Sequence, residues 1–418
     1  MKNLNKFWFL LLFLYASISL AQQRGVDWIH GMGGDATSLE EVANYYQNVQ
    51  NRPIISPTRH SYVTNNGVLA MASGVQGLTG GANRIAISHS MGGVAVRQVD
   101  IWNQGQWSGI VTMGAPLRGA RIANSAQNGT SVNFINNAIY QMMKGPNAGT
   151  SMTSLVPGFG IRIAQGNTLL NEVIYSVNVG QLATQTIMNQ VGLVGQTATD
   201  LAQGSGYMTG IAGTHTNTPK IFIWGSETDP IFWRTMGSMD GHGDEWGRVI
   251  SRDIYGLYKF ISDAEYVHQV LYPWSLLIHG NRGDAWKAGY QWVDTGANDG
   301  WRNVIGAKYT ETGSYINRII TCDSYGWQQC YASNPPPGYC ENVACAREET
   351  VYFAIYHDEP SDGIVPASSQ RNDNGGWWGF PLEAPGVNHR EMRNAEKISS
   401  SLSWVLDGGT NENIFRIR

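Results

Sequence analysis

The segment Arg84-Ile85-Ala86-Ile87-Ser88-His89-Ser90-Met91-Gly92-Gly93 constrains the chain more than any other. A short apolar strand runs into a serine whose neighbours two before and two after, Ser88 and Gly92, are small. A strand that turns at once into a helix brings chain segments close together, and only small side chains fit there. The pattern predicts a sharp strand-to-helix elbow with Ser90 at its tip as a candidate nucleophile. Glycine is the more usual residue at the first small position, so this is a Ser-x-Ser-x-Gly variant. Taken alone it also fits an ordinary glycine turn, and the neighbourhood decides between the two.

Around that elbow, apolar runs alternate with helical patterns from Gly25 to Pro116, as in a mostly parallel sheet covered by helices, an α/β fold. Val26 to Ile29 reads as a first strand and is followed by the turn His30-Gly31-Met32-Gly33-Gly34. Ser38 and Glu41 have capping-box spacing and predict a helix to about Val49. Pro53 to Ser56 is the next strand, Val68 to Leu78 a helix, Arg84 to Ser88 the strand feeding Ser90, and Met91 to about Trp102 the helix after it. Gly109 to Met113 follows as a strand ending in Gly114-Ala115-Pro116, and Lys220 to Trp224 as another. Val351 to Tyr356 reads as the last or next-to-last strand, and no internal repeat is evident.

Two long stretches interrupt this order. Between Arg121 and about Thr218 the chain is polar and methionine-rich. Ile135, Ala138, Ile139, Met142 and Met143 recur there at helical spacing, as do Leu169, Leu170, Val173, Ile174 and Val177. A helical cap or lid and a set of fixed packed helices both satisfy that pattern. The second insertion, from about 230 to 349, holds the tryptophan-rich run Trp286 to Trp301 and all four cysteines.

The N-terminus has the form of a secretory signal: Lys2 and Lys6 precede an apolar run from Phe7 to Leu14, extended through Leu20, with Ser19-Leu20-Ala21 offering a cleavage site before Gln22. A membrane anchor is the competing reading, but the apolar core is short and no later stretch is long enough to span a bilayer. The expectation is a soluble, exported or periplasmic protein. In such a compartment Cys322, Cys330, Cys340 and Cys345 suggest two local disulfides in one of three pairings. A zinc site competes, but no histidine is interleaved. A net charge of −4 with 14% charged residues gives no electrostatic ground for nucleic-acid binding.

A serine hydroxyl needs a base to take its proton, and the base needs an acid to hold its tautomer. In this kind of fold the acid and then the histidine follow the nucleophile. Asp229, Asp299 and Asp362 compete for the acid. Asp362 is favoured, with Asp229 next, because it follows the strand nearest His389. His389 is the sole histidine beyond Asp362, whereas His279 precedes it and would break the order. Backbone donors for the developing oxyanion are expected from Met91, the residue after the nucleophile, and from Met32 in the turn after the first strand.

Taken as an ordered set, His30-Gly31-Met32-Gly33, Ser88-His89-Ser90-Met91-Gly92-Gly93, Gly114-Ala115-Pro116, Asp362-Gly363-Ile364-Val365-Pro366 and Asn388-His389 resemble the bacterial true lipases and esterases of the α/β-hydrolase superfamily. The likeness covers the sheet framework, about half the chain. It implies the α/β-hydrolase fold, with Ser90 as nucleophile, His389 as base, Asp362 as acid, Met32 and Met91 as oxyanion donors, and a lid over 121–218. It implies no required cofactor, but some members of the family bind a structural calcium near the histidine, and Asp229 and Glu391 can be carried over as its ligands. Ser88 and Leu117 depart from the family pattern, and the second insertion is longer than in the smaller members. The implied activity is hydrolysis of acyl esters or lipids. Polyester, phospholipid or sterol-ester cleavage and acyl transfer are alternatives for the same triad, and a hydrolase-like binding protein is a further one.

Overall fold

The computed structural model describes residues 23–78, 80–81, 83–148, 195–239, 243–274, 276, 281–320, 346–410 and 413–418. The leader, Leu169 to Val177, His279 and the four cysteines lie outside these residues.

Successive side chains of a strand point to opposite faces, so a parallel strand covered on both sides must be apolar throughout. Strands β1 (Arg24–Ile29), β3 (Arg84–His89) and β4 (Gly109–Met113) are buried along almost their whole length and mostly apolar, and the buried Asp27 of β1 is paired with Arg84 and the Trp107 indole. With β2 (Ile54–Arg59), β5 (Lys220–Ser226) and β8 (Phe380–Pro385) they form a six-stranded parallel sheet in the order β2-β1-β3-β4-β5-β8. Along β3, Ile85 and Ile87 enter one core and Ala86 the other.

Helix α1 (Glu40–Asn44, continued by a π turn over Tyr45–Val49) and helix α12 (Ala395–Leu406) cover one face through Leu39, Val42, Tyr46, Ile398, Leu402 and Val405. Helices α2 (Val68–Leu78) and α3 (Met91–Trp102) cover the other through Val68, Met71, Val75, Val94 and Val99. Ten of the twelve α3 residues are buried. At about 1.5–3 kcal/mol per large apolar side chain, this central helix holds the elbow firmly to the sheet. The strand order and the strand-elbow-helix unit at its centre are those of the α/β-hydrolase fold.

Between β4 and β5 lie α4 (Arg121–Gln127), α5 (Thr130–Ala148), α6 (Gly195–Leu201) and α7 (Gly206–Ala212). Between β5 and the acid loop lie α8 (Ile231–Met239), α9 (Asp244–Leu271), α10 (Arg282–Gln291) and α11 (Ala297–Ile305). Phe134, Ile135 and Ala138 of α5 pack with Trp292, Trp301 and Val304 in one core, so the described parts of the two insertions interlock. No helix among the described residues is long and apolar enough to cross a membrane.

Two expectations from the sequence give way. The segment Val351 to Tyr356 is not a strand of the main sheet. It belongs to β7 (Ala346–Asp358), which pairs antiparallel with β6 (Lys308–Ile320) as a separate two-stranded unit, from Lys308↔Asp358 to Ile320↔Ala346. Tyr352 and Tyr356 are 70% and 81% exposed there, so aromatic alternation in this ribbon is not a record of burial. The sixth position of the sheet is taken instead by Phe380–Pro385, which carries two prolines; at an edge, the missing N–H groups cost nothing.

The second concerns the capping box. Ser38 does not cap α1: its hydroxyl accepts the Asp35 N–H at 2.9 Å, and Asp35 in turn accepts from the N–H and hydroxyl of Thr37. Glu41 reaches away to the Ala395 N–H at 3.1 Å. An aspartate three residues upstream outcompetes the box by closing its own tight turn.

Candidate active site

Ser90 sits between β3 and α3 with φ 55° and ψ −133°, a conformation that side chains rarely adopt. The surroundings over-determine it. Its N–H donates to the Met113 carbonyl at 2.9 Å, and a Cβ added at Gly92 would lie 2.5 Å from the His30 carbonyl oxygen and 2.7 Å from that of Ile29. The close approach of β1 to the elbow therefore requires glycine. At Ser88, where a hydroxymethyl replaces the more usual hydrogen, the group is buried and its hydroxyl donates to the Val111 carbonyl at 3.1 Å. That bond satisfies the extra polar atom and accounts for the variant.

His389 brings Nε2 to 2.8 Å from the Ser90 hydroxyl, and its Nδ1 lies 2.7 Å from Oδ2 of Asp362. Asp362 is fully buried, and its other oxygen accepts the N–H groups of Ile364 at 3.0 Å and Val365 at 2.7 Å. These bonds satisfy a carboxylate and fix its plane. A backbone bond from His389 N–H to the Asp362 carbonyl, 2.7 Å, ties the two loops together. Asp362 thus adjoins the base. Its rivals Asp229 and Asp299 line a separate cavity with Arg248 and Arg302.

The histidine loop is held by side chains. Asn388 Oδ1 accepts the N–H groups of Arg390 and Glu391 at 3.1 and 3.0 Å, while Glu391 accepts the Asn388 N–H at 3.1 Å. This reciprocal arrangement is a capping box built around His389. Behind it, Arg234 pairs with Glu227 and Asp244, and Lys397 lies 3.7 Å from both Asp244 and Glu391. Burial pushes the Glu391 carboxyl up, and Asp244 beside it adds to that. The Asp244 carboxyl is held down overall, because the hydrogen bonds of Arg234 and Glu391, with the charges of Arg234 and Lys397, outweigh its burial. Asp229 and Glu391, the residues carried over as calcium ligands, line different cavities. Glu391 lies by Asp244 and Lys397 in a cavity that Asp229 does not line, and its carboxylate serves the loop backbone. Among the described residues no group of three or more His, Cys, Asp or Glu is arranged to hold a metal.

In the turn after β1, the Gly33 N–H is taken by the Thr64 hydroxyl at 3.1 Å and the Gly34 N–H by the Gly31 carbonyl at 3.3 Å. The N–H groups of Met32 and Met91, the donors expected for the oxyanion, make no hydrogen bond among the described residues. His30 stacks on Tyr62 with ring centroids 4.1 Å apart, and the Tyr62 hydroxyl donates to the His30 carbonyl at 2.7 Å, which stiffens the turn. Ser90, His389, Met32, Ile364, Val365, Arg390 and Arg393 share one cavity of about 320 Å³.

One contributor escaped the sequence reading. His89 is buried, and its Nε2 lies 2.7 Å from the His389 carbonyl oxygen. A carbonyl only accepts, so Nε2 carries the proton. Burial, then the neighbouring His389 and Arg393, drive its pKa well below the ordinary value, so the ring is neutral. The residue beside the nucleophile thereby grips the backbone of the base. Its position next to Ser90 was visible; its partner, 300 residues on, was not.

No family model and no curated protein matches the chain. Among solved structures, similarity extends to the mature lipase BlEst2 of Bacillus licheniformis, at 12% identity over 54% of this chain and 78% of that one, with a TM-score of 0.31. An extracellular α/β-hydrolase from a Paenibacillus species is 20% identical over 24% of this chain and 46% of its own, with a TM-score of 0.20. Est816, described as an N-acyl homoserine lactone degrading enzyme, is 8% identical over 48% of this chain and 74% of its own, with a TM-score of 0.23. Likenesses this loose carry no argument about activity.

Proposed function

We propose that this chain is a serine hydrolase that cleaves carboxylic esters, of lipase or esterase type, through an acyl-enzyme. One observation carries the reading: the unbroken relay from the Ser90 hydroxyl to His389 at 2.8 Å and from His389 to Asp362 at 2.7 Å, opening on a cavity. His389 Nε2 takes the hydroxyl proton as Ser90 Oγ attacks the ester carbonyl. The negative charge that develops on the carbonyl oxygen falls to the N–H groups of Met32 and Met91, each such donor being worth about 10²–10³ in rate. His389 then gives its proton to the leaving alcohol. In the second half it takes one from water as the water attacks the acyl group, then returns it to Ser90 Oγ as the acid product leaves. Asp362 holds the imidazole with Nδ1 protonated and favours its cationic form. The apolar wall formed by Pro116, Leu201, Ile364 and Val365 suits an acyl chain.

Export after loss of the leader belongs to the same proposal, and so do disulfides among the four cysteines. Hydrolysis of p-nitrophenyl esters from short to long acyl chains, with Ser90→Ala beside the wild type, tests the chemistry. Turnover is expected to vanish in the variant while its far-UV circular dichroism stays the same. Equal rates in the two proteins would refute the assignment.

A further inference from the structure

The catalytic cavity has an unusual wall for a site expected to take plain acyl esters. Arg390 and Arg393 both line it, one and four residues beyond the base, on the turn that ends in the short 3₁₀ segment Glu391–Arg393. Arg393 is only partly accessible, its Nε is buried without a hydrogen-bond partner, and its guanidinium has no ion-pair partner among the described residues. Asp35, the carboxylate whose field favours the Arg393 charge, is already engaged by the Thr37 N–H at 2.8 Å and the Thr37 hydroxyl at 2.6 Å. Burial lowers the Arg393 pKa, and the like charge of Arg390 lowers it further.

Withdrawing a cation from water beside a second cation, with no anion to meet it, is costly. Other buried cations are met by acceptors: Arg234 has Glu227 and Asp244, Lys220 lies 3.7 Å from Asp100, and Arg97 donates to the carbonyls of Leu117 and Ile211. An anion brought in by the ligand would relieve the cost at Arg393. A guanidinium offers a planar fork of donors matched to a carboxylate or a phosphate.

We propose that Arg393, with Arg390 beside it, is the anion-accepting wall of the substrate cavity, so that the ester taken here carries a carboxylate or phosphate close to the scissile carbonyl. This rests on the hydrolase reading of Ser90 and His389. The uncharged part of the substrate lies along the apolar wall, and the anionic part turns toward the arginines. The substrate class narrows from neutral acyl esters to half-esters of dicarboxylic acids or acyl esters of phosphorylated alcohols.

Binding is measured apart from turnover by using Ser90→Ala, which holds an ester without cleaving it. Calorimetric titrations at low salt compare monoethyl succinate, butyryl glycerophosphate and the uncharged ethyl levulinate. At least one anionic ester is expected to bind about tenfold tighter than ethyl levulinate, and which of the two does so tells carboxylate from phosphate. The preference should shrink as salt rises, disappear in Ser90→Ala/Arg393→Gln and persist in part in Ser90→Ala/Arg393→Lys. Lack of preference for either anion, or a preference that survives Arg393→Gln, overturns the proposal. Should the glutamine variant not fold, the salt titration of Ser90→Ala decides: an anion preference indifferent to salt overturns it. Wild-type turnover of the same esters keeps the two readings distinct. Anion-selective binding without any hydrolysis defeats the hydrolase reading alone, whereas hydrolysis of ethyl levulinate with no anion preference defeats the arginine wall alone.

Discussion

The serine half of the site and the acid-base half are built by different physics. Ser90 is held by backbone and apolar packing: a strained elbow, Gly92 against the carbonyls of Ile29 and His30, and a helix buried along almost its whole length. Asp362 and His389 are held by polar side chains: Asn388 and Glu391 capping each other, Arg234 pinning Asp244, and Gln370 bridging the Gly225 N–H and the Val365 carbonyl at 2.9 and 2.7 Å. Packing tolerates almost no substitution, because a methyl group has nowhere to go. Polar bonds can be exchanged one at a time, and each is worth about 1 kcal/mol. The serine half is therefore expected to fail all at once, and the acid-base half by degrees and with pH.

The largest separation between the halves should come from Asp362→Asn. The fold persists, because asparagine fills the same space, but His389 loses the partner that orients it, and kcat/KM should fall by about 10³–10⁴. Asp229→Asn, in the other cavity, should leave kcat/KM within about twofold; a reversal of the two results would move the acid. Gly92→Val attacks the other half. Its side chain meets two backbone carbonyls, so loss of about 3 kcal/mol or more of stability is expected, seen as a sharply lowered Tm or insoluble protein. A Gly92→Val protein that melts like the wild type would show that the elbow is not packed as described.

The smallest effect belongs to His89, which spans both halves. Its folded pKa is depressed, so the folded state holds fewer protons than the unfolded one below the ordinary histidine value of about 6.5. The stability it contributes is present above that pH and is lost as pH falls through the folded value. Between pH 7 and pH 5, wild-type Tm should drop further than that of His89→Asn, by roughly a few degrees. Parallel Tm curves for the two proteins would remove His89 from the acid sensitivity.

The same division governs what could be read from the amino acids. Features dictated by local sterics were legible: α2 and α3 run over Val68–Leu78 and Met91–Trp102 as the apolar spacing predicts, and Ser90 is at the elbow. Chain order left Asp229, Asp299 and Asp362 all eligible as the acid; Asp362 does stand beside His389, although the segment before it that favoured it is no strand of the main sheet. Features decided by competition among polar groups were not legible. Ser38 lost its capping role to Asp35, while the reciprocal capping of Asn388 and Glu391 carries no pattern that the sequence reading singled out. Strand β8 was hidden by Pro381 and Pro385, and β7 imitated a buried strand with side chains that stand in solvent. His89 and Arg393 were invisible because their surroundings come from residues remote in the chain.

The central claim is that the imidazole of His389 makes the Ser90 hydroxyl a nucleophile. The most direct measurement is covalent trapping with a p-nitrophenyl phosphonate followed by mass spectrometry of the digested protein. The account predicts one phosphonyl group per chain, on the peptide containing Ser90, formed far more slowly in His389→Asn. Folded wild-type protein that takes no label, or takes it at another residue, would contradict it.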